Sequence, residues 1–262
     1  MPPAADRFSV LGTWIRRTDP ERALAVIRGW IASGRRDYVC LVNVHAVMEA
    51  HRDPALRAIY NAAGLALPDG MPLVWAAHVA GLGDVRRVYG PDLMLSVCAQ
   101  AAREGWACYF YGGAPGTGER LAEELARRFP GFRSAGAHDP PFRTLTDEEV
   151  RADVARINAA RPEVVFVGLG CPKQERWMAA HREALEAPVL AGVGAAFDFV
   201  AGRVPQAPRW MMGLGLEWLF RLVQEPRRLW YRYLVYNPLF VMHFLLQRAG
   251  LRRYGPDEPP AG

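Results

Sequence analysis

The sequence predicts an α/β fold: a Rossmann-like parallel sheet with helices on both faces, followed by a basic amphipathic helical C-terminal appendage. Three observations lead there. Short apolar runs rich in β-branched residues, such as 164–167 and 189–193, have the composition of strands buried on both faces. Helical patterns separate such runs one by one, the alternation that builds a parallel sheet. The charge, finally, sits at one end. Residues 203–262 carry nine arginines against four acids, so the net charge of +5 belongs to that segment, and the 202 residues before it hold 23 of each sign. The chain divides accordingly into a core over 1–202 and the appendage over 203–262.

Residues 22–33 read as an amphipathic helix and 38–42 as a strand. Residues 45–63 read as one helix, and 65–67 as a short strand ending in the turn Pro68-Asp69-Gly70. A helix is expected over 72–79, and Pro91 opens another, because proline's fixed φ suits a first helical position. A strand at 107–111 runs into Gly112-Gly113-Ala-Pro-Gly116 and a helix over 118–128. Thr146 and Glu149 form a capping box for a helix ending near residue 160. The strand 164–167 leads through Gly168, Gly170 and Pro172 into a helix over 174–186, and the strand 189–193 runs on to Asp198. Residues 210–253 mix aromatics, leucines and arginines. The apolar run 238–246 is shorter than the roughly 20 residues a bilayer span needs. Such a segment lies on a membrane surface, or docks on the core or on another subunit.

Composition excludes several classes. Residues 1–6 lack the apolar stretch of a secretory signal. Cys40, Cys98, Cys108 and Cys171 have no CxxC spacing, and the six histidines form neither HxxxH nor HExxH. Reduced thiols and no protein-built metal site are therefore expected. Nucleic-acid binding fits poorly, because the basic charge is confined to one end and interleaved with long apolar residues.

Lys173, the only lysine, gathers with Gln174 and Glu175 at the carboxyl end of a central strand, where open α/β sheets bind ligands. A polar strand-to-helix loop there is also ordinary. Asp69 serves as a general base if its turn opens on substrate, or simply makes the turn. Asn43 binds a ligand or caps the next helix. Gly112 and Gly113 offer backbone N–H groups to an anion, without a full G-x-G-x-x-G or a Walker lysine. Asp198 contacts a ribose or caps a turn, and Arg87 meets a diphosphate or a surface acid. Asn43, Asp69, Gly112, Gln174 and Asp198 each follow a separate strand, so they converge on one sheet edge.

The ordered set Asn43, Leu-Pro-Asp69-Gly, Arg87-Val-x-Gly-x-Asp92, Gly112-Gly, Gly168-Leu-Gly170-x-Pro-Lys173-Gln174-Glu175, Gly-Val-Gly-Ala-x-Phe-Asp198, Glu217-Trp, Arg221 and Glu225-Pro-x-Arg228 resembles the WecG/TagA/CpsF glycosyltransferases, glycosyltransferase family 26. The likeness runs from about residue 8 to about 235. It implies an inverting, metal-independent transferase with no cofactor beyond its donor. Such enzymes move N-acetylmannosamine, glucose or a uronic-acid sugar from a UDP-sugar to an undecaprenyl-diphosphate-linked acceptor in cell-surface polysaccharide biosynthesis. By the family pattern Asp69 is the catalytic base, Arg87 stabilises the leaving diphosphate and Gln174 contacts a sugar. Gly112, Gly113 and Asp198 hold the nucleotide, and Asn43, Gly170, Lys173, Glu175, Arg221 and Arg228 are substrate-binding positions.

The resemblance also implies a cytoplasmic enzyme bound peripherally to the inner face of the cytoplasmic membrane, with self-association possible and an appendage that closes over the site. An arginine in place of a metal suits the missing DxD motif. Two positions depart from the pattern: Leu41 replaces a threonine common in the family, and Asp139-Pro-Pro-Phe-Arg143 replaces a common Gly-Tyr-Phe. Two other readings stand beside this one. A Rossmann-type nucleotide-binding enzyme such as a dehydrogenase lacks its glycine fingerprint and hydride-relay histidine here, and a non-catalytic membrane-associated subunit of an assembly complex is left open by Leu41.

Overall fold

Leu11 and Gly12 take positive φ (51° and 81°) and turn the chain back on itself, making an antiparallel hairpin of β1 (Arg7–Val10) and β2 (Thr13–Arg16). A side chain at residue 12 would collide with the Tyr254 carbonyl, its Cβ 2.6 Å from that oxygen, so only glycine fits. The computed structural model describes residues 6–255. The expected absence of a signal at 1–6, and the acids Asp257 and Glu258, fall wholly or mostly outside those residues.

After the hairpin, helices and strands alternate: α1 (Pro20–Ser33), β3 (Asp37–Val42), α2 (Val44–Arg52), α3 (Pro54–Ala62), β4 (Leu65–Pro68), α4 (Met71–Val79), α5 (Gly90–Glu104), β5 (Ala107–Gly112) and α6 (Thr117–Arg128). There follow β6 (Arg133–His138), α7 (Asp147–Ala160), β7 (Val164–Gly168), α8 (Lys173–His181), β8 (Val189–Gly192) and α9 (Ala196–Val200). The strands β3 to β8 form one six-stranded sheet in the order β4-β3-β8-β7-β5-β6, every pairing parallel. The Rossmann-like fold read from the sequence is the fold of the chain. Alternate residues of each strand serve opposite faces. Tyr38, Cys40 and Val42 join the core beneath α2, α3 and α8, while Val39 and Leu41 join the core beneath α1 and α5.

Three expectations need correction. The helix expected over 45–63 is two helices, because Pro54 lacks an N–H and forces Asp53 out of helical geometry (φ −128°, ψ 99°). Asp53 then caps α3, accepting from the N–H groups of Ala55 (3.0 Å) and Leu56 (3.1 Å). The helix expected over 174–186 stops at His181. Beyond it the Arg182 guanidinium donates to the carbonyls of Leu185 (2.7 Å) and Ala187 (2.5 Å), holding a turn instead. Asp198 is not at a strand end but inside α9, since β8 stops at Gly192. The edge strand β6 has no apolar run to announce it: Arg-Ser-Ala-Gly-Ala-His pairs on one side only.

The appendage comprises α10 (Arg209–Gly213), α11 (Glu217–Gln224), α12 (Pro226–Trp230), a π-helical turn (Tyr231–Val235) and α13 (Tyr236–Arg248). Tyr236, Phe240 and Tyr254 belong to the same core as β3 and α2, so this segment is docked on the sheet layer. Its other side leaves Trp210, Leu214, Trp230, Leu234, Val241 and Leu245 exposed. No described helix is long and apolar enough to cross a membrane.

Candidate active site

Asp69 is fixed by backbone pairing: its N–H donates to the Val42 carbonyl (2.8 Å), which extends the β3–β4 register by one residue past the strand end. Its Oδ1 accepts the Gly90 N–H at 3.2 Å. Arg87 reaches it from the segment before α5. The guanidinium donates through Nε to the Asp69 carbonyl and through Nη2 to Glu217 Oε2 (2.7 Å), with Nη2 3.8 Å from Asp69 Oδ1. The Tyr89 ring lies beneath it, 4.4 Å away. One cation is thus held between two carboxylates. Burial raises the Asp69 pKa above the ordinary aspartate value, Arg87 opposes that rise and Glu217 adds to it. The result is a carboxylate more basic than an exposed one.

Two cavities meet at this point. The larger, about 850 Å³, opens over the carboxyl ends of the strands and is lined by Gly113, Gly170, Gln174, Asp198 and Arg228 among others. The smaller, about 100 Å³, runs between α4 and the appendage, past Met71, Pro72, Arg87, Trp218 and Tyr233. Asn43, His45, Asp69, Glu217, Arg221 and Arg232 line both. Of the two roles expected for Asn43 the structure shows the cap: its Oδ1 accepts the Ala46 N–H (3.2 Å) at the start of α2, and the residue lines both cavities.

The arginines differ in how their charge is met. Arg87 has two carboxylates, and Arg228 pairs with Glu225 at 2.6 Å. Arg221 lies over the Phe199 ring at 5.6 Å. Arg232 makes a long contact to Asn43 Oδ1 (3.4 Å), its Nε is buried with no partner, and among the described residues it has no ion pair. Burial lowers its pKa accordingly. It also keeps His45 neutral: burial first, then the Arg232 charge, push that imidazole down to about 3. A buried cation with an unmet donor is a place for an anion.

The residues after β7 divide. Gln174 faces the larger cavity, donates through Nε2 to Glu175 Oε1 (3.0 Å) and keeps a buried Oε1 with no partner. Glu175, expected to bind substrate, is fully buried behind it, and burial raises its pKa. Lys173 is exposed and lines neither cavity. The reason is helical geometry: 173, 174 and 175 open α8 about 100° apart, so they cannot share a direction.

The glycine-rich turn departs further from expectation. Gly112 takes φ +102° and a Cβ there would stand 2.9 Å from the Gly168 carbonyl carbon, so this glycine permits close approach of β5 to β7. Only Gly113 reaches the cavity. The N-terminus of α6 already holds an anion, because Asp139 Oδ2 accepts the Gly116 N–H at 2.7 Å. Asp198 lines the cavity and lies 3.7 Å from Arg203, which also donates to Thr117 Oγ1 (2.5 Å). Among the described residues no three His, Cys, Asp or Glu side chains cluster as metal ligands.

Sequence reasoning missed Glu217, His45 and Arg232 as site residues. Glu217 was flagged by its Glu-Trp motif, but nothing in the sequence brings it to Arg87, 130 positions earlier. His45 and Arg232 carried no motif at all.

A model of the glycosyl transferase WecG/TagA/CpsF family matches residues 8–254. A protein of Bacillus spizizenii named N-acetylglucosaminyldiphosphoundecaprenol N-acetyl-beta-D-mannosaminyltransferase is 32% identical over 197 residues, which cover 75% of this chain and 74% of that protein.

Proposed function

The chain belongs to the WecG/TagA/CpsF family of glycosyl transferases, and on that footing we propose that it moves a sugar from a UDP-sugar to a polyprenyl-diphosphate-linked acceptor, with inversion and without a metal. The observation that carries the reading is the junction itself. A carboxylate made more basic by burial stands between two cavities, beside a half-buried arginine that has no counter-ion among the described residues. Asp69 removes the proton from the acceptor hydroxyl as that oxygen bonds to the anomeric carbon. The bond from that carbon to the diphosphate breaks, and UDP leaves with the electron pair. Arg232 and Arg221 meet the charge of the departing diphosphate, the part otherwise given to a metal. Arg87, first expected there, is already engaged by Asp69 and Glu217 and instead orients the base.

The large cavity suits the donor and the small one the acceptor sugar, since only the large one has volume for a nucleotide. The Bacillus relative's name joins N-acetylmannosamine to an N-acetylglucosaminyl-diphosphoundecaprenol, and the acceptor proposed here is of that class. The exposed apolar and aromatic side chains of the appendage, among arginines, would hold the enzyme on the inner face of the cytoplasmic membrane. UDP release measured over a panel of UDP-sugars, with a short-chain polyprenyl-diphosphate sugar and EDTA present, tests all of this. Acceptor-dependent release with one donor supports the reading; loss of activity in EDTA removes metal independence, and neither binding nor turnover removes the transferase.

A further inference from the structure

We propose that His45 is a further substrate-contacting residue: its Nε2 accepts a hydrogen bond from a sugar hydroxyl or acetamido N–H where the two cavities meet, and Glu49 holds the ring proton on Nδ1. The inference rests on the transferase reading above. His45 is the second residue of α2 and lines both cavities. One turn on, Glu49 shares its helix face. The Tyr236 ring of α13 lies against the imidazole, with centroids 5.7 Å apart and planes 25° off parallel. The Tyr236 hydroxyl is committed on both sides, donating to Glu49 Oε1 (2.7 Å) and accepting from Arg52 Nη1 (2.9 Å). Imidazole, carboxylate and phenol thus brace one another, and the imidazole has little freedom left to lose on binding.

The two ring nitrogens differ. Nδ1 is buried with no hydrogen-bond partner, and it stands 3.9 Å from Glu49 Oε1. A carboxylate on that side favours the tautomer with its proton on Nδ1, which leaves the lone pair on Nε2. Nε2 makes no hydrogen bond among the described residues and is not shut in as Nδ1 is, so it is the nitrogen open to the cavities. The ring itself stays neutral, because it is buried and Arg232 stands beside it. Such a ring accepts a hydrogen bond but is too weak a base to take a proton from an alcohol. The diphosphate of a nucleotide-sugar is ionised and has no proton to offer it, whereas sugar hydroxyls and acetamido N–H groups do. Lining both cavities with Asp69, the ring meets the two sugars where they come together, away from the nucleoside.

Steady-state kinetics of the full chain tests the proposal, with the UDP-sugar and polyprenyl-diphosphate sugar that give acceptor-dependent UDP release, alongside equilibrium binding of UDP. The variants are His45→Leu, His45→Gln and His45→Asn. A glutamine amide reaches as far as Nε2, and an asparagine amide only as far as Nδ1. Loss of one neutral hydrogen bond corresponds to a weakening of about tenfold. His45→Leu is expected to raise one KM about tenfold and to bind UDP as wild type does. A rise in KM for the UDP-sugar places the contact on the donor sugar, and a rise for the acceptor places it on the acceptor sugar. His45→Gln is expected to restore that KM, and His45→Asn to leave it raised. Glu49→Gln keeps an acceptor for Tyr236 but offers Nδ1 a donor, which moves the ring proton to Nε2. It is expected to raise the same KM, with no further rise when combined with His45→Leu. Wild-type KM values in His45→Leu overturn the proposal, and so does failure of glutamine to restore them. Weakened UDP binding marks a merely structural side chain, and a fall in kcat of about a hundredfold or more marks a base; either result overturns it as well. Additive losses in the double variant overturn the part given to Glu49. A wild-type protein with no acceptor-dependent release from any donor overturns the transferase reading itself, and this proposal with it.

Discussion

At the scale of single residues the junction sets two carboxylates, Asp69 and Glu217, among three arginines, Arg87, Arg221 and Arg232. Asp69 and Glu217 share Arg87, while Arg221 and the half-buried Arg232 make no ion pair among the described residues. Asp69→Asn is expected to lower kcat by about 10²–10⁴-fold while UDP binding is kept; a variant with full activity would remove Asp69 as the base. In the wild type the rate should fall as pH drops through the Asp69 pKa, because the base works only when ionised, and that acid limb should lie above the range of a free aspartate. The sign for stability is opposite. A carboxyl whose folded pKa is raised favours the folded state only while protonated, and that contribution is lost as pH rises through the folded value. Asp69→Asn should therefore melt no lower than wild type at neutral pH. Arg232→Met follows the same logic. Removing a half-buried cation that has no ion pair among the described residues should leave Tm unchanged or higher without ligand, yet diminish the rise in Tm that UDP gives the wild type. A lower Tm in both conditions would make Arg232 structural.

At the scale of elements, local chemistry and tertiary contact divide the work. The cap of α7 is purely local: Thr146 Oγ1 accepts the Glu149 N–H (3.3 Å), and Glu149 Oε2 accepts the Thr146 N–H (2.9 Å). Thr146→Ala should cost about 1 kcal/mol in denaturant unfolding, and a loss near zero would show the box is redundant. Arg143, with the Thr146 N–H, holds Glu149 down to about 2, so its contribution is full above the unfolded carboxylate pKa and is lost as pH falls through about 2. Such a box is legible in four letters. The edge strand β6 was not, because its register comes from β5 and its own residues are small and polar. The break at Asp53-Pro54 was in the letters, yet the helical period running on both sides of it concealed the boundary.

Across the whole molecule, the appendage lines both cavities and exposes apolar surface in the same segment. Tyr236 and Phe240 bury into the core, and Leu234, Val241 and Leu245 face outward. Substituting Val241 and Leu245 together by glutamate should abolish flotation with anionic vesicles and leave UDP binding intact, since neither residue lines a cavity. Flotation unchanged in that variant would place the membrane contact elsewhere.

The sequence alone determined the parallel sheet, since buried strands and alternating helices carry their periods locally; of Asn43, Asp69, Gly112, Gln174 and Asp198, read as converging on one sheet edge, Asn43, Asp69 and Gln174 line the large cavity there, Asp198 lines it from α9, and Gly112 does not. Only the tertiary structure decided which of these groups are free to act. It placed Glu217 against Arg87 and left Arg232 with no ion pair among the described residues. It turned Glu175 inward and filled the α6 N-terminus with Asp139. Secondary structure is fixed by neighbours three or four positions away, whereas the charge state and availability of a side chain depend on groups that only folding brings near.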